Sequence, residues 1–279
     1  MRKIVLFIFS FFFLFLVGFA AARFQPQIAA LFRKQGEEIK FKPTLYPLQN
    51  RSFVITVIGQ NNGASLEKTL NSILSQNYEN FRVIYIDDGS DDGSFEHARD
   101  LVYDSNHAHR VHFIQNKEPI GEIANLARAV QLCDNDEIIV LVGGEDLLSH
   151  EWVLQKLNQY YANPDLWMSF ARSMEFPSFT LSPYISLPGS DFRKKNVRIP
   201  CFYLKTFYAS LFKKIHESDL VHDGEDIVYM LPLLELAKNH AQLLPEILYL
   251  TTKKQKEPQE VSEALFLDRP PYAPLRSLR

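Results

Sequence analysis

The sequence predicts an α/β fold: a mostly parallel sheet flanked by helices, with a hydrophobic helix ahead of it. Three observations predict it. Short β-branched, apolar runs alternate with segments of helical periodicity from Phe53 onward, the pattern of a sheet covered on both faces. Two of those runs stop at acidic clusters, Asp87-Asp88 and Glu145-Asp146. The chain also opens on a long uncharged apolar run. With 46% apolar residues among 279, a large core is available and global disorder is excluded. A formal net charge of -3 gives no general electrostatic reason to bind nucleic acid. Cys133 and Cys201 lie far apart without C-x-x-C spacing, so they read as core residues first and as a disulfide or metal pair second. No repeat of fixed period is visible, which argues against a solenoid.

In chain order, Arg2 and Lys3 precede the run Ile4 to Ala22, close to the roughly twenty residues that cross a bilayer core. Ala20-Ala21-Ala22 also offers a cleavage site. Residues 1–22 are therefore expected to be a signal peptide or a transmembrane anchor, leaving the protein membrane-anchored, or exported if the segment is cleaved. Basic residues flank the run on both sides (Arg23, Arg33 and Lys34 follow it) and specify orientation weakly. Residues 23–50 read as a linker, polar and proline-punctuated from Glu37 to Asn50.

The folded region is expected over 51–252. Phe53 to Ile58 forms a buried strand, Gly59 to Gly63 break it, and Leu66, Leu70, Ile73 and Leu74 mark a helix with Ser65 as its N-cap. Arg82 to Ile86 is a second strand, followed by a helix with Phe95, Ala98, Leu101 and Val102 on one face. Val111 to Ile114 is a third strand, and Ile123, Leu126, Ala127 and Val130 mark the next helix. Glu137 to Val142 is a fourth, and a helix carrying Val153, Leu154, Leu157, Tyr160 and Tyr161 closes the unit. Beyond Pro164 the pattern loosens. Pro177, Pro183, Pro188 and Pro200 imply a loop-rich stretch before a helical segment from Ile227 to Lys238, which Pro232 should kink or divide. Residues 253–279 read as a C-terminal tail whose Lys253-Lys254-Gln255-Lys256 is solvated.

Ligands of open parallel sheets sit beyond the carboxyl ends of the strands, so both acidic clusters should open into one crevice. Several carboxylates at one site repel each other unless they share a cation, and a hard divalent ion that also binds phosphates is the ordinary solution. The alternative is that Asp, Gly and Ser simply make turns after strands. His107, His109 and His112 match no zinc spacing and read as surface or strand residues. Trp152 and Trp167 read as core or core edge.

Five motifs stand out between Phe53 and Leu148: Gln60-Asn61-Asn62 after the first strand, Ser72 to Tyr78 with Asn80-Phe81, the Asp87-Asp88-Gly89-Ser90 turn, Gly121 to Asn125, and Gly143-Gly144-Glu145-Asp146. Through them this stretch resembles the family-2 glycosyltransferases. The resemblance extends through Trp152 to Trp167 and Glu175 to Ser178, and then includes Lys205 to Tyr208 and Gly224-Glu225-Asp226. The resemblance implies a GT-A, Rossmann-like domain, with a nucleotide-sugar-binding half at 51–150 and an acceptor half at 151–252. It implies a nucleotide-sugar donor, a UDP-sugar first, with Gln60, Asp88, Asn125 and Glu145 on the nucleotide side. Glu145 and Asp146 would hold Mn²⁺ or Mg²⁺. Asp226 would be the general base for an acceptor hydroxyl, of glycan, lipid or protein, in an inverting transfer, with Glu225 orienting it or binding the acceptor; an N-cap role for Asp226 is compatible. Three positions depart from the family pattern. Gly143 stands where the metal motif begins with an acid, Glu145 replaces an Asp, and Gln60 replaces a common aromatic. A degenerate member that binds nucleotide sugar or glycan without transfer is the alternative. A nucleotidyltransferase would want a basic phosphate loop, and Gly59 to Ala64 contains no Lys or Arg.

Overall fold

The computed structural model describes residues 46–105, 107–182, 198–199, 203–220, 226–252, 259–260 and 270–278. The apolar run expected as signal or anchor, most of the linker, Cys201, Glu225 and the Lys253–Lys256 cluster lie outside them. Among the described residues no helix is long and apolar enough to cross a membrane.

Strands and helices alternate as expected through the first half: β1 (Phe53–Gly59), α1 (Leu66–Leu74), β2 (Phe81–Asp87), α2 (Ser94–Asp104), β3 (Val111–Gln115), α3 (Glu122–Gln131), β4 (Ile138–Gly143), β5 (Leu147–Leu148) and α4 (Val153–Tyr160). The second half adds β6 (Met168–Glu175), β7 (Thr180–Leu181), β8 (Arg198–Ile199), β9 (Tyr203–Tyr208), α5 (Ala209–Phe212), α6 (Ile227–Ala237), β10 (Ala241–Thr251) and β11 (Gln259–Glu260). Of the stretch expected to be loop-rich beyond Pro164, the described residues supply three strands, β6, β7 and β9, to the main sheet, while Pro183, Pro188 and Pro200 lie outside the described residues. That sheet runs β3-β2-β1-β4-β9-β6-β10-β5, with β7 beside β6. Its β3-β2-β1-β4 part is parallel. β9 is antiparallel to both β4 and β6, and β10 is parallel to β6. The carboxyl ends of β1, β2, β4, β6 and β10 therefore share one edge with the start of β9.

Alternation along β1 divides the core between the two faces. Val54 packs with α3 and α6, whereas Phe53, Ile55 and Val57 pack with α1, α2 and α4. α6 is buried at every position, including Pro232, as a helix apolar on all sides must be. Pro232 does not divide it; packing on all sides holds the helix through the missing N–H. Residues 270–278, expected as part of a tail, also join the core. Tyr272, Leu275 and Leu278 pack against the α6 side, and Tyr272 N–H donates to the buried Glu235 carboxylate at 3.0 Å.

Candidate active site

A cavity of about 470 Å³ opens at the shared edge. Gln60, Asp88, Glu145, Asp146 and Asp226 all line it, together with Asn62, Glu122, Lys205 and Tyr249. Asp88 and the Glu145-Asp146 pair are brought together because β2 and β4 run parallel in one sheet and end on one side, and the start of α6 adds Asp226.

The two acids after β2 divide their work. Asp87 is fully buried and holds Ser90 through its backbone N–H and hydroxyl, so it makes the turn, as the alternative explanation held. Asp88 reaches across to the loop ahead of α3. Its Oδ1 accepts from Asn116 Nδ2 at 2.8 Å and from Ile120 N–H at 2.9 Å, and its Oδ2 accepts from Gly121 N–H at 3.0 Å. Burial alone would raise its pKa, but these donors, with Asn125, hold the carboxyl below the usual range. Gly89 allows the contact: its φ is +72°, and a Cβ there would stand 2.8 Å from Pro119 N. Asn125, expected on the nucleotide, is fully buried and does not line the cavity. It accepts from Asn116 and donates to Gly121 carbonyl, which ties the same loop to α3.

At the end of β4, Asp146 is held on both oxygens. Tyr249 hydroxyl donates to Oδ2 at 2.8 Å and Thr252 N–H donates to Oδ1 at 3.0 Å. Gly143 N–H donates to the same hydroxyl at 3.0 Å. Burial and the Asp146 carboxylate push the Tyr249 phenol well above its usual pKa, so it stays a donor. A Cβ on Gly143 would lie 2.8 Å from Asp146 Oδ2. The departure at Gly143 is therefore coupled to the position of Asp146. Close by, Asn62 is 6% exposed, and its Oδ1 is buried without a hydrogen-bond partner. It rests where side chains on Gly59 or Gly144 would stand, with Cβ contacts of 2.2 and 2.8 Å.

Across the cavity, Asp226 occupies the N-cap position of α6 but makes no side-chain cap bond. Its Oδ2 lies 2.8 Å from Lys205 Nζ. Burial would lower the Lys205 pKa, yet Tyr229, Asp226 and Glu122 hold it well above the usual value. Tyr249 is a site residue that the sequence did not single out, while Asn62 and Lys205 lie in stretches noted for the family resemblance but given no role there. The available signal was a lone charge within the apolar, aromatic run Phe202 to Tyr208. Trp167 is buried and stacked on His240, whereas Trp152 is exposed at the surface. Cys133 is buried and free.

Comparison with known proteins identifies the family and the fold. The family profile described as glycosyl transferase family 2 matches residues 52–218. The chain belongs to that family, and its mixed, helix-flanked sheet has the GT-A fold. Staphylococcus aureus TarS in complex with UDP-GlcNAc is similar at a TM-score of 0.54 and 16% identity, over 74% of this chain and 60% of that one. A mannosyltransferase from Pyrobaculum calidifontis, in complex with GDP-Man and Mn²⁺, is similar at 0.58 and 18%, over 85% of this chain and 67% of that one. GalNAc-T7 with UDP, GalNAc and Mn²⁺ is similar at 0.53 and 10%, over 71% and 42%. The chain thus spans about 60% of the TarS structure's length. No match was found among curated proteins.

Proposed function

We propose that this protein transfers a sugar from a nucleotide-diphosphate sugar, a UDP-sugar first, to an acceptor hydroxyl on a glycan, lipid or protein, with inversion at the anomeric carbon. The observation that carries the proposal is the convergence of Asp88, Glu145, Asp146 and Asp226 on one cavity. Family membership supports the reaction class, and the N-terminal apolar run would hold the enzyme at a membrane or direct its export.

The donor set fits a hard divalent ion that is shared with the substrate. Glu145 and Asp146 are adjacent carboxylates that line the cavity, and Mg²⁺-type ions are commonly held by one or two carboxylates plus phosphate oxygens. Among the described residues no group of three or more His, Cys, Asp or Glu could hold a metal, so the residues do not form a complete protein cage. Bound Mn²⁺ or Mg²⁺ would supply positive charge against the diphosphate. The Tyr249 and Thr252 donors keep Asp146 aimed for that task, each leaving a lone pair on its oxygen. Asp88 fixes the loop that brings Gly121 and Glu122 to the cavity wall. Asp226 takes the proton of the acceptor hydroxyl as that oxygen attacks the anomeric carbon.

A second reading, binding without transfer, is favoured by one observation: the acid expected at the start of the metal motif is Gly143. A donor screen of the full chain separates the two. Nucleoside diphosphate release from one donor, dependent on Mn²⁺ or Mg²⁺ and abolished by Asp226→Asn without loss of folding, is the expected result. Thermal stabilisation by a donor with no release across the panel would establish the second reading instead.

A further inference from the structure

Burying a cation inside a fold is costly unless a partner offsets the lost hydration, and the chain distorts itself to place Lys205. Its side chain is only 12% exposed. Between Ser169↔Thr206 and Ala171↔Tyr203, β9 spends three residues where β6 spends two, the signature of a β-bulge. Leu204 sits at the bulge with φ +41°, a conformation that costs energy for a bulky residue. Tyr203 and Leu204 consequently pack on the same side, and Lys205 faces the other, over the Tyr229 ring at 5.9 Å. Among the described residues that line the cavity, Lys205 is the single basic side chain, against the carboxylates of Asp88, Glu122, Glu145, Asp146 and Asp226. Bulges that re-aim a side chain are concentrated beside active sites.

We propose that Lys205 is a positioning residue that serves two anions in turn, the Asp226 carboxylate before sugar transfer and the leaving diphosphate during it. The proposal rests on the function proposed above and deepens it. In that reaction the acceptor oxygen bonds to the anomeric carbon, its proton passes to Asp226, and the bond from the anomeric carbon to the phosphate oxygen breaks with its electron pair on the diphosphate. One negative charge disappears at Asp226 and one appears on the leaving group, with no further reactant. An ammonium on a flexible four-carbon stem has three donors and can follow that displacement. Before transfer the same ion pair holds Lys205 beside the Asp226 carboxylate, which lines the cavity and makes no cap bond to α6.

The proposal is tested by binding of uridine diphosphate with Mn²⁺ to the full-length protein, by calorimetry, together with donor turnover. Lys205→Met should weaken diphosphate binding about ten- to a hundredfold, the range of a lost charge-assisted hydrogen bond. Asp226→Asn should do the opposite: it removes a competing anion, releases Lys205 to the diphosphate and tightens binding while turnover is lost. Lys205→Arg should recover part of both binding and kcat, and Lys205→Met should lower kcat far more than it raises the acceptor KM. Melting curves of all variants separate these effects from misfolding, and a Lys205→Met protein that does not fold leaves Asp226→Asn and Lys205→Arg to decide. Diphosphate binding that ignores Asp226→Asn and either Lys205 variant overturns this proposal and leaves the transferase function standing. No binding of uridine, guanosine, cytidine or thymidine diphosphate by the unmodified protein overturns both.

Discussion

Replacing Asp88 by Asn should destabilise the protein by about 2–4 kcal/mol at neutral pH, and the cause is local. The carboxylate accepts three hydrogen bonds, from Asn116 and Ile120 on Oδ1 and from Gly121 on Oδ2. An asparagine that keeps its carbonyl oxygen toward the first two turns its own N–H₂ group toward the Gly121 N–H. Two donors then face each other. The change removes one charge-assisted bond, about 1.5–3 kcal/mol, and leaves a buried donor unsatisfied at roughly 1–3 kcal/mol; partial relaxation of the loop keeps the sum below the total of the two. The pH dependence has a definite sign. The Asp88 pKa is held below its ordinary value, so its contribution is present above the unfolded carboxyl pKa of about 3.9 and is lost as pH falls through the folded value. Urea unfolding of both proteins at neutral pH and at the lowest pH where both still fold measures the effect. The gap should be widest at neutral pH and close on acidification. A gap below about 0.5 kcal/mol at neutral pH, or one that widens in acid, refutes the assignment of Asp88 as the clasp of the Pro119–Gly121 loop.

Three further outcomes follow from the same contacts. Gly143→Asp, which restores the family's acid at the head of the metal motif, should not improve Mn²⁺-dependent turnover, because its Cβ would meet Asp146 Oδ2 at 2.8 Å; donor kinetics across a Mn²⁺ titration would show weaker metal dependence rather than stronger. Gly144→Ala should cost about 1–3 kcal/mol and lower the melting temperature, since the added methyl would stand 2.9 Å from Gly59 Cα, which is backbone and cannot swing away. Tyr272→Ala should cost about 1–3 kcal/mol in urea unfolding, because Tyr272 hydroxyl accepts from His216 N–H and donates to Asp219.

The first half of the fold is readable in the sequence because buried parallel strands are written in β-branched apolar residues, and the helices between them carry one apolar face. The second half hides for a physical reason. β6 and β9 place Ser169 and Thr206 in the core, where the two hydroxyls lie 2.6 Å apart and Tyr161 hydroxyl approaches Thr206 at 2.8 Å. Polar residues that satisfy one another across strands read as loop when each strand is considered alone. β10 is obscured by Pro245, which it accommodates through register shifts between Leu244 and Tyr249. The site divides in the same way. Asp88, Glu145, Asp146 and Asp226 stand out because each belongs to a short local motif. Lys205 and Tyr249 acquire their roles only by pairing with Asp226 and Asp146, 21 and 103 positions away, which no local spacing encodes. Asn125 shows the converse: it lies within a recognisable motif, yet its amide is spent on Asn116 and Gly121. A motif identifies which residues the chemistry requires, while the partner that holds each one in place is set by the sheet order, and here that order places an ammonium where a reading of the acids alone would put only negative charge.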